Sequence, residues 1–220
     1  MTAPAGALAD AYAAVTATVL PLADDDLLHA TRCRGWVIAD VLHHLLEDAR
    51  RALVAFVSTV PGPSDVDHVS YWTGGAVAGR QSAWSTRRAA SAYERPSSIV
   101  AVWAETAPAA ARAAAAADPA AFVATQGHVL AVPDFIATLV TEAVVHHLDL
   151  SVSLPAPPAP PESALAVAVS TMDGLLSDEV VRPATWSPTD FLLKASGRAS
   201  LTARDRLALG EAAGWFPLLS

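Results

Sequence analysis

Apolar positions recur along most of this chain at three- and four-residue spacing, a period that predicts helices rather than strands. A first helix is expected from about Ala5 to Leu20, where Pro21 and the acidic trio Asp24-Asp25-Asp26 break it. The plainest stripe lies between Val37 and Ser58, where Ile38, Leu42, Leu45, Ala49, Leu53 and Phe56 fall on one side of a second helix. Pro61-Gly62-Pro63 ends it, and residues 61–76 read as a long loop carrying Tyr71-Trp72 and Gly74-Gly75. A third helical region occupies about 77–117, with Pro96 and Pro108 dividing it or marking helix starts. A short hairpin is expected around Val123 to Val132, with Gly127 near its tip. Pro133-Asp134 then opens a fourth helix that runs to about Val152.

The run Pro-Ala-Pro-Pro-Ala-Pro-Pro at 155–161 reads as a stiff linker. A fifth helix is expected from Glu162 to Ser177. Farther on, Phe191 to Leu201 reads as two short strands turning at Ser196-Gly197, and Thr202 as the N-cap of a closing helix to about Ala213. The expected organisation is a helical domain over 1–154, a Pro-rich linker over 155–161, and a C-terminal part over 162–220 made of a helix, a hairpin and a closing helix. The fold class is mainly α with a short C-terminal α+β extension.

Composition supports a core-forming chain: 53% of the 220 residues are hydrophobic and 16% are charged. The net charge of −8, with Lys194 as the one lysine beside thirteen arginines, argues against a broad basic face for nucleic acid or an anionic membrane. The single cysteine, Cys33, allows no intramolecular disulfide and fits a reducing compartment. No basic n-region precedes an apolar core at the N-terminus, and no uninterrupted apolar run reaches about 18 residues. The expectation is a cytoplasmic protein with no membrane span.

The histidines change the picture from fold to chemistry. Four of the seven form adjacent pairs in the middle of predicted helices, His43-His44 and His146-His147. On the fourth helix, Phe135, Leu139, Glu142, His146 and Asp149 share one face, and Phe135 and Leu139 mark that face as buried. A buried carboxylate beside a buried imidazole is costly unless both are satisfied, and a metal ion satisfies both at once. One carboxylate and two imidazoles with a fourth position open form a known catalytic zinc set. His44, on the Val37 and Val41 side of the second helix, is the candidate third ligand. His43 is turned about a hundred degrees away, toward Trp36 and Arg50. Spacing leaves a second reading open, a Glu142–His146 hydrogen bond within one helix and His44 at the surface. Asp149 suits either a hydrogen bond that orients a ligand imidazole or a helix-end salt bridge. Cys33 has no His–acid pair near it in sequence and reads as a small packing residue.

The segment Gly35-Trp36-Val37-Ile38-Ala39-Asp40-Val41-Leu42-His43-His44-Leu45 resembles the second-helix signature of the DinB-like superfamily. Within it the match is to the mycothiol-dependent maleylpyruvate isomerase N-terminal domain family: a Gly-Trp opening the helix, an Asp after it, a His just before a Leu. Cys33 just ahead of the Gly-Trp also fits that family. The segment Glu142-Ala143-Val144-Val145-His146-His147-Leu148-Asp149-Leu150 resembles the family's Glu-x-x-x-His with an Asp-Leu close behind. The resemblance covers about residues 5–155. It implies an antiparallel four-helix bundle with a long crossover and a metal at one end of its core. The matched ligands are His44, Glu142 and His146, with His43 and His147 as neighbours.

The resemblance further implies a divalent ion such as Zn²⁺, mycothiol as cosubstrate, and a small electrophile as substrate. The implied activity is a thiol transferase or isomerase working through a metal-activated thiolate, in a chain that pairs as a homodimer. A metal-dependent hydrolase using bound water, and a non-catalytic metal- or ligand-binding helical module, are the alternatives. The best-known members carry a larger C-terminal domain related to sterol carrier proteins, whereas roughly 65 residues follow the bundle here. Arg80 and Arg87, after the long loop, and Arg198, in the tail, are the candidates to hold the thiol or an anionic substrate.

Overall fold

The periodic stripes form the helices that carry the site. The computed structural model describes residues 4–73, 79–176 and 180–219, with backbone alone at 79–82. Helix α1 (Pro4–Val19) buries Leu8, Ala11, Tyr12, Val15 and Val19. Helix α2 (Ile38–Val57) buries Ile38, Leu42, Leu45 and Ala49, then Ala52 and Ala55, while Leu53 and Phe56 are half-buried. Small side chains on that face let a neighbouring helix come close. Asp40 in the first turn of α2 accepts from the Val37 N–H at 3.0 Å and so fixes where the helix begins.

A two-residue strand β1 (Thr59–Val60) follows α2, and a 3-10 turn forms at Ser70–Thr73. The third helical region is two helices, α3 (Gly79–Ala90) and α4 (Pro96–Ala116). Pro96 sits in the first turn of α4, where its missing N–H costs nothing. Pro108 neither divides α4 nor starts a helix. The buried face of Ala107, Ala110, Ala111 and Ala114 packs against the core and carries the helix through, outweighing a local cost of about 3 kcal/mol.

Strands β2 (Phe122–Thr125) and β3 (His128–Ala131) form the expected hairpin. Its two-residue turn, Gln126-Gly127, has positive φ at both positions, which matches the twist of the flanking strands. The antiparallel order is β1-β2-β3. Helix α5 (Val132–Leu150) then runs through the centre and is buried along most of its length. With the following turn it is long and apolar enough to cross a membrane, but 78% of that stretch is buried within the protein. Helices α1 and α2 each pack against both α4 and α5.

Helix α6 (Glu162–Leu175) lies on α5 and α1, contributing Ala164, Ala168 and Met172 to the same hydrophobic core. Gly174 matters for the loop before α3: a Cβ there would lie 2.7 Å from Val69, so only glycine lets the 66–73 segment settle on α6. The same loop is tied to α5 by His68 and Asp134 at 2.7 Å, and to β3 by the Val129 N–H donating to Asp65 at 2.7 Å.

The C-terminal part differs from the expectation of two strands. Phe191 and Leu192 lie in helix α7 (Pro188–Ala195). Ser187 caps it by accepting from the Asp190 N–H at 3.1 Å, Asp190 returns the bond, and Pro188 occupies the first turn. Phe191, Leu192 and Ala195 are buried at helical spacing, which no strand of this length would achieve. Helix α8 (Ala203–Leu209) begins at Thr202, the expected N-cap, and passes into a 3-10 turn at Gly210–Trp215. Asp205 pins α8 to α7 by accepting from the Trp186 indole at 2.6 Å and lying 2.8 Å from Lys194. Among the described residues the extension is therefore helical, without strands.

Candidate metal centre

Helices α2 and α5 bring three donors together. Glu142 Oε2 lies 3.1 Å from His146 Nε2 and 3.7 Å from His44 Nε2. The three donor atoms all fall within 4.8 Å of one another. Donors around one tetrahedral ion with bonds near 2.0–2.1 Å stand about 3.3 Å apart, so the set fits a divalent ion with small side-chain adjustments. The two imidazole rings meet edge-on at 4.8 Å, and Trp36 packs edge-on against His44 at 5.6 Å.

The charge balance favours a cation. Burial alone would raise the Glu142 carboxyl, but hydrogen bonds with His146 and His44 outweigh it and hold it well below the ordinary carboxylate range. Burial would lower His146, yet Asp149, Cys33 and Glu142 pull it well above its ordinary value. Two carboxylates thus compete for positive charge on one imidazole. A divalent ion on the Nε2 side would supply that charge.

The other face of His146 is held from behind. Nδ1 donates to Asp149 Oδ2 at 2.9 Å, which makes Nε2 the nitrogen that would bind a metal in exchange for its proton. Asp149 is fully buried, and Arg198 grips it with two bonds, Nε to Oδ1 at 3.2 Å and Nη2 to Oδ2 at 3.0 Å. Burial acts against the Asp149 anion, but His146 and Arg198 overcome it and push its pKa down to about 2. Asp149 is therefore both the orienting partner of His146 and the anion of a salt bridge, the two roles that its spacing left open.

Arg198 reaches this point through the end of α7. Gly197 takes φ +74, the left-handed conformation that ends a helix, and the Arg198 N–H returns to the Leu193 carbonyl at 2.7 Å. The turn throws the arginine back toward α5. Its guanidinium also donates to Ser196 O at 2.8 Å and to Cys33 Sγ at 3.7 Å.

Cys33 packs against the core, as expected, and also makes polar contacts that the sequence did not show. Its thiol donates to Asp149 Oδ2 at 3.0 Å and lies 3.7 Å from His146 Nδ1. Sequence distance concealed the contact, since the partners stand 113 and 116 residues away. Trp36 also departs from expectation by facing His44 and not His43. It precedes the helix, so the helical period does not govern it.

Beside the donors lies a cavity of about 370 Å³ lined by Trp72, Thr141, Glu142, Val145, His146, Arg198 and Leu219. Trp72 is the member of the Tyr71-Trp72 pair in that wall. Arg87 stands elsewhere: exposed, 6.0 Å from the Trp84 ring, it lines a separate cleft with Tyr93 and Arg95. Arg80 falls in α3, but its side chain lies outside the described residues.

The neighbouring histidines have other work. His147 is 1% exposed and bonds Thr18 of α1 through Nε2 at 2.8 Å, and burial pushes its pKa down to about 4. His43 is buried edge-on against Tyr93 at 5.7 Å. One further side chain escaped the sequence reading. Asp48, one turn after His44 on α2, is 2% exposed, with Oδ2 3.9 Å from His44 Nε2. The signal was present, because His44–Asp48 repeats the four-residue His–carboxylate spacing of Glu142–His146.

No curated protein and no solved structure matches the chain in the two other comparisons. A family model does match. It is described as the mycothiol maleylpyruvate isomerase N-terminal domain, it covers residues 8–151, and both helices that supply the donors fall within it. The chain belongs to the mycothiol maleylpyruvate isomerase N-terminal domain family, a metal-binding, mycothiol-related group.

Proposed function

We propose that this chain is a metal- and mycothiol-dependent thiol transferase or isomerase acting on a small electrophile. The observation that carries the reading is the convergence of His44, Glu142 and His146, the last two in the wall of a cavity whose other sides are Trp72, Thr141, Val145, Arg198 and Leu219. His44, Glu142 and His146 would hold the ion, with Zn²⁺ as the first candidate. A bound divalent ion supplies the charge that converts a thiol to its thiolate nucleophile at neutral pH.

The chain's own residues set the geometry. Asp149 holds His146 in one tautomer, and Arg198 keeps Asp149 ionised. Trp72, Val145 and Leu219 give the cavity apolar sides that limit water near the reacting carbon. At about 370 Å³ it matches the small end of ligand pockets, so it suits the electrophile and the sulfur end of the thiol. Arg198 has five N–H groups, of which Asp149 takes two, Ser196 one and Cys33 one. The remaining N–H is the donor we assign to an anionic group on the substrate. We read the packing of α1, α2, α4 and α5 as the family's antiparallel four-helix bundle. A cytoplasmic location and a homodimeric state belong to the same reading and rest on the lone cysteine and the family resemblance.

The test is turnover of small unsaturated acids, beginning with maleylpyruvate, by the metal-loaded chain with and without mycothiol. The reading expects turnover to require both. Turnover with metal alone would favour a hydrolase, and metal binding without any turnover would favour a binding module.

A further inference from the structure

The three family-matched donors leave one nearby carboxylate unexplained. Asp48 is 2% exposed, and its Oδ2 has no hydrogen-bond partner among the described residues. Its other oxygen accepts from Arg51 Nη2 at 2.6 Å. The free oxygen lies 3.9 Å from His44 Nε2, nearly the 3.7 Å that separates the same nitrogen from Glu142. His44 therefore stands between two carboxylates, one on its own helix and one on α5. A buried carboxylate oxygen without a donor is costly, and natural structures leave few such atoms unless a ligand, ion or water fills the place.

The charged and titratable groups around Asp48 come from three helices and the Ser70–Thr73 turn. From α2 they are His44 and Arg51, from α5 Glu142 and His146, from the turn Tyr71, and from α1 the Tyr12 hydroxyl, itself buried without a partner among the described residues. Arg51 balances one carboxylate. A second carboxylate, the half-buried Glu142, approaches the same imidazole from α5. A divalent ion bound among them would give the open oxygen Oδ2 a partner.

We propose that Asp48 is a fourth protein donor of this metal centre, so that the ion is held by two imidazoles and two carboxylates. The inference rests on the metal reading given above. The consequence is chemical. Two carboxylates neutralise a divalent ion and make the donor set harder than a tetrahedral zinc set with one carboxylate. Such a set suits ions that take five or six ligands, and it leaves room for the sulfur of a thiol beside four protein atoms.

The experiment loads the full chain with Co²⁺ or Zn²⁺, measures affinity by competition with a chromophoric chelator, and records the visible spectrum of the Co²⁺ form. The wild-type Co²⁺ spectrum is the reference against which each variant is compared. Asp48→Asn should weaken binding by at least about tenfold and alter the Co²⁺ spectrum, and Asp48→Glu should restore part of both. Arg51→Gln is the structural control. It removes the partner of Asp48 but keeps the carboxylate, and affinity should hold or rise.

Wild-type affinity and an unchanged Co²⁺ spectrum in Asp48→Asn would overturn the inference and leave the three-donor site intact. An Arg51→Gln affinity as low as that of Asp48→Asn would show that the ion pair only supports the fold, which also overturns it. A wild-type chain that binds neither ion defeats the metal reading as well.

Discussion

Residues 8–151 and the segment from 162 to 219 contribute to one site in different ways. The first region supplies His44, Glu142 and His146 on long helices fixed by a regular apolar stripe. The second supplies none of those three, yet Arg198 and Leu219 line the cavity, and Arg198 holds the carboxylate that orients His146. The family match ends at 151, so residues from outside the matched domain support the candidate metal centre. Ligand geometry is thus a property of the helices, while the support and the cavity wall depend on a short capped helix and one glycine turn. That contrast predicts that changes in the second region should register at the metal without touching a ligand.

The strongest test of this coupling is Arg198→Met. It strips the buried Asp149 of its guanidinium and leaves it His146 and Cys33, and losing one partner of such a pair costs about 3 kcal/mol. Denaturant unfolding should register the loss, and chelator competition should show weaker metal binding. Unchanged values in both would mean that the two regions act independently. Asp149→Asn is smaller in effect and more local. It keeps an acceptor for His146 but removes the charge, and should weaken metal binding by about 10–100-fold, measured by the same competition. Least disruptive is Ser187→Ala, which removes the cap of α7 and should cost about 1 kcal/mol in thermal unfolding while metal affinity stays near wild type. A large metal effect from that substitution would place the cap, and not Arg198, at the root of the coupling.

The sequence made the first region legible because helical periodicity converts spacing into angle. Glu142 and His146 had to share a face, and Phe135 and Leu139 showed that the face was buried. Even on these helices one donor was passed over. Asp48 carries the same spacing relative to His44, but nothing in the resemblance pointed to it. Contacts made from irregular backbone were not legible at all. Cys33 and Trp36 sit in a loop closed by the Ala30–Val37 bridge, and their approach to Asp149 and His44 depends on turn conformations that spacing does not encode.

The C-terminal error has a different cause. Phe191-Leu192-Leu193 is apolar enough for either a strand or a buried helix. The deciding signal was Ser187-Pro188-Thr189-Asp190, a capping sequence with proline in the first turn, which announces a helix start. With α7 helical, Gly197 becomes the left-handed end of a helix, and Arg198 is delivered to α5 rather than to solvent. The sequence singled out Arg198 for an anionic substrate, whereas its attachment to Asp149 emerges only once that turn is built.

The most direct test of the account is the metal content of the purified chain and of its Glu142→Ala variant, measured by elemental analysis after exposure to Zn²⁺ and gel filtration. The account predicts close to one ion per wild-type chain and almost none in the variant, with both folded by circular dichroism. A folded wild-type chain that retains no divalent ion, or a variant that retains as much as wild type, would contradict it.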